Sequence, residues 1–361
     1  MPGWHKQTSQ LVANGELAVA GIVQEQHPDR AALYMQWQKM DWPVLADPFN
    51  SLGISAVPIT LLIDQHGIIR YKNPKSKDLK TFLAADYSDD AKKQAIKSLP
   101  EDITSLENLL KKKPTNAVAH FRLGVAYRLR FDSTERQPTD FSKAMSHWET
   151  ALKLNPNQYI WRRRIQQYGP RLDKPYSFYD WVATARRELI KNGEKPIHLI
   201  AEPSGAEFAT PAKSSRSSKT DAKHQGTHSE HPDPENKVHQ DTDQLITTSI
   251  VKVSSTNKRR AAIRVHLTLT PSVDTNWTND AGNISCYLTP NSGAKIQDLK
   301  IPELPNTDNS SETRVIEFEV HPKNGKKLPE SITTTVFYYV CTEADHTCKF
   351  LRKDIVISLK K

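Results

Sequence analysis

The residues with most chemistry to offer are three cysteines, Cys286, Cys341 and Cys348, all in the last quarter of the chain. A thiolate is both a nucleophile and a metal ligand. An odd count leaves one thiol over after any single disulfide. Cys286 falls in an apolar stretch and reads as a buried strand residue, a small hydrophobe. Cys341 and Cys348 end the string Cys-Thr-Glu-Ala-Asp-His-Thr-Cys. Glu343, Asp345 and His346 inside it carry charge that can tune a thiolate, and His346 is the best suited to lowering a cysteine pKa. His224, His228, His231 and His239 suggest a metal site, but no cysteine and no structural frame accompany them. A solvated tether is expected there, with no metal and no cofactor. Arg162, Arg163 and Arg164 stand among aromatics. Successive helical residues point in successive directions, so at most two share a face, and no nucleic-acid partner is expected. His5, beside Trp4, reads as a solvated histidine.

The late cysteines sit in a region of alternating apolar and polar residues. Strands are expected over Leu245–Val253, Ala261–Leu269, Ile284–Leu288, Val315–Val320, Thr333–Val340 and Lys349–Leu359. That pattern predicts an antiparallel immunoglobulin-like sandwich over residues 244–361. Two strings in it, Arg264-Val-His-Leu-Thr-Leu-Thr-Pro…Asn276-Trp-Thr-Asn-Asp-Ala-Gly282 and Tyr338-Tyr-Val-Cys-Thr-Glu-Ala-Asp-His-Thr-Cys-Lys-Phe-Leu-Arg-Lys-Asp354, carry a resemblance. They resemble the amino-terminal domain of the thiol:disulfide interchange protein DsbD and its relatives. The resemblance implies two cysteines flanking a turn, which take electrons from a thioredoxin-like partner and pass them to periplasmic substrates. It implies a redox disulfide between Cys341 and Cys348, although this turn is slightly longer than the family's typical one. Cysteines at the two ends of a hairpin turn lie within disulfide range if their side chains share a side. A purely structural staple worth ~2–3 kcal/mol, or two unused thiols, are the alternatives.

Near the other end, Gly53-Ile-Ser-Ala-Val-Pro-Ile-Thr-Leu-Leu-Ile-Asp-Gln-His-Gly-Ile-Ile-Arg70 predicts a hairpin. Its first strand, Val57–Ile63, reads as buried on both faces. Helices are expected over Lys6–Asn14, Pro28–Met40 and Ser76–Ala85, a strand over Leu17–Val23, and a short extended piece over Pro43–Asp47. The Val-Pro-Ile-Thr-Leu-Leu-Ile-Asp string resembles thioredoxin-fold proteins of the peroxiredoxin and membrane-anchored reductase branches. In that family the proline is cis, so the resemblance makes Val57 and Pro58 a groove for a substrate or partner chain. The order lacks the fold's first strand, so a start upstream of Met1 is expected. Met1 and Trp4 occupy the positions of the family's Cys-x-x-Cys, so this domain has no dithiol.

Residues 91–200 read as helical. Leu123, Gly124 and Tyr127, with Ala144, Trp148, Ala151 and Pro156, resemble one tetratricopeptide repeat with an insertion around Arg130–Gln137. Such a repeat must pack on a neighbour or a partner. Residues 201–243 hold few large apolar side chains and read as a disordered linker.

With 361 residues and 37% hydrophobic content, the chain has room for several domains but keeps much of itself solvated. The expected architecture is multidomain: an incomplete α/β thioredoxin-like domain (1–90), a helical repeat-like region (91–200), the linker (201–243) and the β-sandwich. A formal charge of +9 here serves solubility. No apolar run reaches the ~20 residues a membrane span needs. The expected function is thiol–disulfide exchange in the cell envelope with a protein partner, thioredoxin-like or thiol-containing; the alternative is a non-catalytic protein-binding scaffold with a structural disulfide. A periplasmic location would require an upstream signal, and a true start at Met1 would place the chain in the cytoplasm.

Overall fold

The computed structural model describes residues 2–88, 101–170, 179, 181–200, 203, 231–255, 261–289, 293–323, 327–343 and 347–360. The chain divides into two compact units: Met1–Arg164 with Asp180–Glu202, and Ile165–Tyr179 with Pro203–Lys361. The molecule is a mixed α and β protein. In chain order its elements are α1 (Pro2–Ala13), β1 (Gly21–Val23), α2 (Asp29–Trp37), β2 (Val44–Ala46), β3 (Leu61–Ile63), β4 (Ile69–Lys72), α3 (Ser76–Ala84), α4 (Ile103–Lys112), α5 (Ala117–Phe131), α6 (Asp140–Leu154), α7 (Tyr159–Gln166) and α8 (Trp181–Lys191). Strands follow: β5 (His239–Gln240), β6 (Ile246–Ser254), β7 (Ile263–Pro271), β8 (Thr275–Thr278), β9 (Ser285–Leu288), β10 (Ala294–Lys300), β11 (Asn309–Ser310), β12 (Arg314–Pro322), β13 (Ser331–Thr342) and β14 (Thr347–Ser358).

In the first unit, β1 pairs with β2 in parallel and β3 with β4 antiparallel, as two separate two-stranded sheets. The expected doubly buried strand over Val57–Ile63 is not found. Only Leu61–Ile63 is strand, and Leu62 is buried while Ile63 is 50% exposed and Val57 46%. Alternate strand residues face opposite sides, and only the Leu62 side has a core, built with Leu79 and Phe82. The strand expected over Leu17–Val23 shortens likewise to Gly21–Val23, with Ile22 exposed. The β3–β4 turn follows from its residues. Asp64 Oδ1 accepts from the His66 and Ile68 N–H groups, and Gly67 takes the left-handed φ of +79°.

The helices start where the sequence offers caps. Asp102 accepts from Ser105 N–H and Asn116 from Ala119 N–H. Gly124 of α5 lies against Trp148 of α6; a Cβ there would come within 2.5 Å of the indole, so only glycine permits this approach. The Trp148 indole N–H donates to Phe121 O at 3.1 Å. Arg130 grips Asp140 with two hydrogen bonds and closes the long α5–α6 connection. The helical stretch expected over Ala91–Lys112, with a break near Leu99–Pro100, is seen from Ile103 as α4; residues 89–100 lie outside the described residues.

In the second unit, one sheet has the order β10-β12-β7-β6 and the other β11-β8-β13-β14-β5, with β9 also on β13. All pairings are antiparallel except β14–β5. One apolar cluster takes side chains from both sheets, among them Val265, Leu267, Trp277, Phe318, Val336 and Tyr338. Trp277 sets its indole N–H on Glu312 O and its ring edge-on to Tyr338. β8 and β10 were not expected from the sequence, and they complete the two sheets. Part of the stretch read as linker is structured: β5 pairs with β14, and Asp233 accepts from the Lys237 and Val238 N–H groups. Residues 201–202 and 204–230 of that stretch lie outside the described residues.

Candidate disulfide site

Along β13, Ile332, Val336, Tyr338 and Val340 point into the core. The alternate residues Phe337, Tyr339 and Cys341 therefore share the opposite face. β13 and β14 pair in unbroken register from Ser331↔Ser358 to Thr342↔Thr347, so Cys341 stands directly opposite Cys348. Their Cα atoms are 4.0 Å apart and their sulfurs are bonded. Cys341 is half-buried and Cys348 exposed. Two residue pairs inward, on the same face, the Tyr339 and Phe350 rings stack at 4.4 Å, and Phe337 extends the stack. Phe350 is 40% exposed, so an apolar surface adjoins the sulfurs.

β8 braces the Cys341 side. Asn276 is the register partner of Cys341, and its amide donates to Glu343 Oε1 at 2.8 Å. The Glu343 N–H donates to Asp274 O at 2.9 Å. Thr278 Oγ1 lies 2.8 Å from Cys341 Sγ. A disulfide sulfur has no hydrogen, so the threonine hydroxyl is the donor. β14 has its other neighbour, β5, only at Leu351 and Arg352. The two cysteines therefore differ: Cys341 is half-buried with the Thr278 hydroxyl on its sulfur, and Cys348 is exposed. This arrangement can accept a thiolate at Cys348 and release a thiolate at Cys341.

The remaining sequence-predicted residues fall elsewhere. His346 and Asp345 lie outside the described residues. Cys286 is 2% exposed on the core side of β9; burial pushes its thiol up to about 11, although a contact with Thr334 opposes this. A buried thiol of that kind is inert. Val57 and Pro58 belong to the first unit, both exposed, and are joined by a cis peptide bond. His5 bonds Asp41 at 2.8 Å and Trp4 packs on the small Leu62–Phe82 core. Arg164 turns inward and donates to Gln26 Oε1, Gln24 O and Pro48 O, a structural tie of the first unit. His231 packs edge-on to Tyr287 and Phe337. Among the described residues no group of three His, Cys, Asp or Glu side chains is placed to hold a metal ion, and no helix is long and apolar enough to cross a membrane.

Sequence reasoning missed Thr278. The only signal was the alternation Thr275, Asn276, Trp277, Thr278, which buries Trp277 and sets Thr278 on the cysteine face.

No protein-family model matches the chain, and no curated protein matches it. Among solved structures, it is similar to a FixG-related protein from Vibrio parahaemolyticus, at 6% identity over 32% of this chain and 98% of that one, with a TM-score of 0.15. It is similar also to the reduced amino-terminal domain of DsbD from Neisseria meningitidis, at 12% identity over 33% of this chain and 89% of that one, with a TM-score of 0.18.

Proposed function

We propose that the chain takes part in thiol–disulfide exchange through Cys341 and Cys348. The observation that carries this reading is a disulfide set across a rigid hairpin end, with one sulfur exposed and the other braced. Exposed disulfides tend to be the labile, exchangeable ones. A partner thiolate would attack Cys348 Sγ, and the bond to Cys341 would break. A second partner thiol would then resolve the mixed disulfide, giving an oxidised partner and a reduced Cys341/Cys348 pair. The exposed Phe350 beside the sulfurs suits a protein partner, thioredoxin-like or thiol-containing. Such a disulfide persists in an oxidising compartment, so we place the work in the periplasm or cell envelope.

On this reading the carboxy-terminal unit is a DsbD-like, immunoglobulin-like sandwich. Residues 1–90 are thioredoxin-like, supported by the order helix, strand, helix, strand, hairpin and helix. Residues 91–200 hold a tetratricopeptide-like helix pair, supported by the Gly124–Trp148 packing. Val57 and Pro58 are then a partner-facing groove without a dithiol of its own. The second reading is a scaffold whose disulfide only braces, favoured by its place at the end of an unbroken ladder.

A Cys341→Ser chain separates the two. Exchange predicts that the free Cys348 thiolate attacks a disulfide-bearing partner and holds it as a mixed disulfide, releasing the partner's other sulfur as a thiolate, and that catalysis of insulin reduction disappears. Insulin reduction at the parent rate would leave only the scaffold.

A further inference from the structure

We infer that Thr278 is a positioning residue for this pair: its hydroxyl stabilises the thiolate that forms on Cys341 when the disulfide opens. The inference rests on the exchange reading above and adds the group that tunes the leaving sulfur.

The geometry is specific. Thr278 Oγ1 is 2.8 Å from Cys341 Sγ, and the hydroxyl must donate because the bonded sulfur carries no proton. β8 lies between β11 and β13, with Thr278 opposite Asn309, so its backbone is fixed on both sides. The preceding Trp277 is buried in the core and tied to Glu312 O. A β-branched side chain on such a strand has few χ1 choices, so the hydroxyl is aimed before the reaction begins. Cys341 pairs with Asn276 of the same strand, and the Asn276–Glu343 and Glu343–Asp274 bonds tie the next turn of chain to it.

When the disulfide opens, the partner's sulfur forms a bond to Cys348 Sγ. The Cys341–Cys348 bond breaks, and its electron pair remains on Cys341 Sγ. A neutral acceptor becomes an anion, and a hydrogen bond to an ionised acceptor is about twice as strong as one to a neutral acceptor. The contact therefore strengthens as charge arrives, which favours departure of this sulfur.

The molecule holds its own control. Cys286 also has a threonine within 3.2 Å, Thr334. That hydroxyl also donates to Tyr287 O, and burial outweighs its contact with the sulfur, pushing the thiol up to about 11. The same residue pair gives an inert thiol where burial outweighs the hydroxyl contact.

The test titrates Cys341 in the full chain with Cys348→Ala, following iodoacetamide alkylation of the Cys341 peptide against pH by mass spectrometry. Thr278→Val should move the midpoint upward and lower the thiolate fraction at pH 7 roughly three- to tenfold. Thr278→Ser, which keeps the hydroxyl, should restore it; Thr278→Ala replaces the valine variant if that one fails to fold. An unchanged midpoint in the hydroxyl-free variant overturns the inference. So does an equal shift in Thr278→Ser, since packing rather than the hydroxyl would then be responsible. The titration needs no partner, so a chain that exchanges with no dithiol refutes the proposed function without touching this result.

Discussion

Two hairpins in this chain carry its two candidate sites, and they are built differently. The β3–β4 hairpin has three register pairs with an irregularity between Leu62 and Ile63. Its core is Leu62, Leu79 and Phe82, and one of its faces is open. The β13–β14 hairpin joins two 12-residue strands in continuous register, with β8 and β9 on its flank and a core that takes side chains from both sheets. The first carries an exposed Val57–Pro58; the second carries bonded sulfurs. The difference teaches where precise chemistry can sit. Reacting groups must be held to within a fraction of an ångström by supports that are themselves locked. Only the long hairpin has such supports.

The largest expected effect breaks that support. Trp277→Ala removes a fully buried side chain from the large core and should cost about 3–5 kcal/mol. Ile63→Ala, at the half-exposed edge of the short hairpin, should cost under about 1 kcal/mol. Native-state hydrogen exchange, read separately on β13 and β3 amides, measures both. Similar losses at the two sites would remove the contrast.

A smaller effect concerns acid. Burial would raise the carboxyl of Asp241, but the Ile246 N–H, the Tyr338 hydroxyl, the Leu245 N–H and the Lys353 ammonium hold it below its ordinary value of 3.8. Asp64 in the short hairpin is lowered too: burial would raise it, and the Ile68 N–H, Arg70 and the His66 N–H outweigh that. A depressed folded value gives stability that is complete above the ordinary value and is lost as pH falls through the folded one. Urea unfolding between pH 6 and 2 should therefore show the sandwich weakening below about pH 4. Asp241→Asn should flatten that acid limb for β13, while Asp64→Asn should leave it unaltered.

How far the sequence foretold this molecule depended on strand length. The long alternating runs that became β6, β7, β12, β13 and β14 were legible, because a period of two persists over many residues. β8, Thr-Asn-Trp-Thr, has only one large apolar residue to show a period, and β10 interrupts its apolar positions with Gln297, Asp298 and Lys300. In the first unit, apolar runs suggested longer and more buried strands than formed, because burial depends on what lies beyond each face. Arg164 could not be told from Arg162 and Arg163 by type; only tertiary contacts turn it inward. Cys341 and Cys348 stood out as the two ends of an expected hairpin turn, while their redox pairing was an implication of the resemblance alone. Thr278 did not, because its contact depends on the pairing of β8 with β13 across 63 residues of chain.

The central claim is tested most directly by equilibrating the oxidised chain with glutathione mixtures of graded potential, while alkylation reports Cys341 and Cys348 and near-ultraviolet circular dichroism reports the fold. Exchange predicts that the pair opens above about −300 mV with the sandwich intact. A disulfide that yields only as the sandwich unfolds would contradict the account.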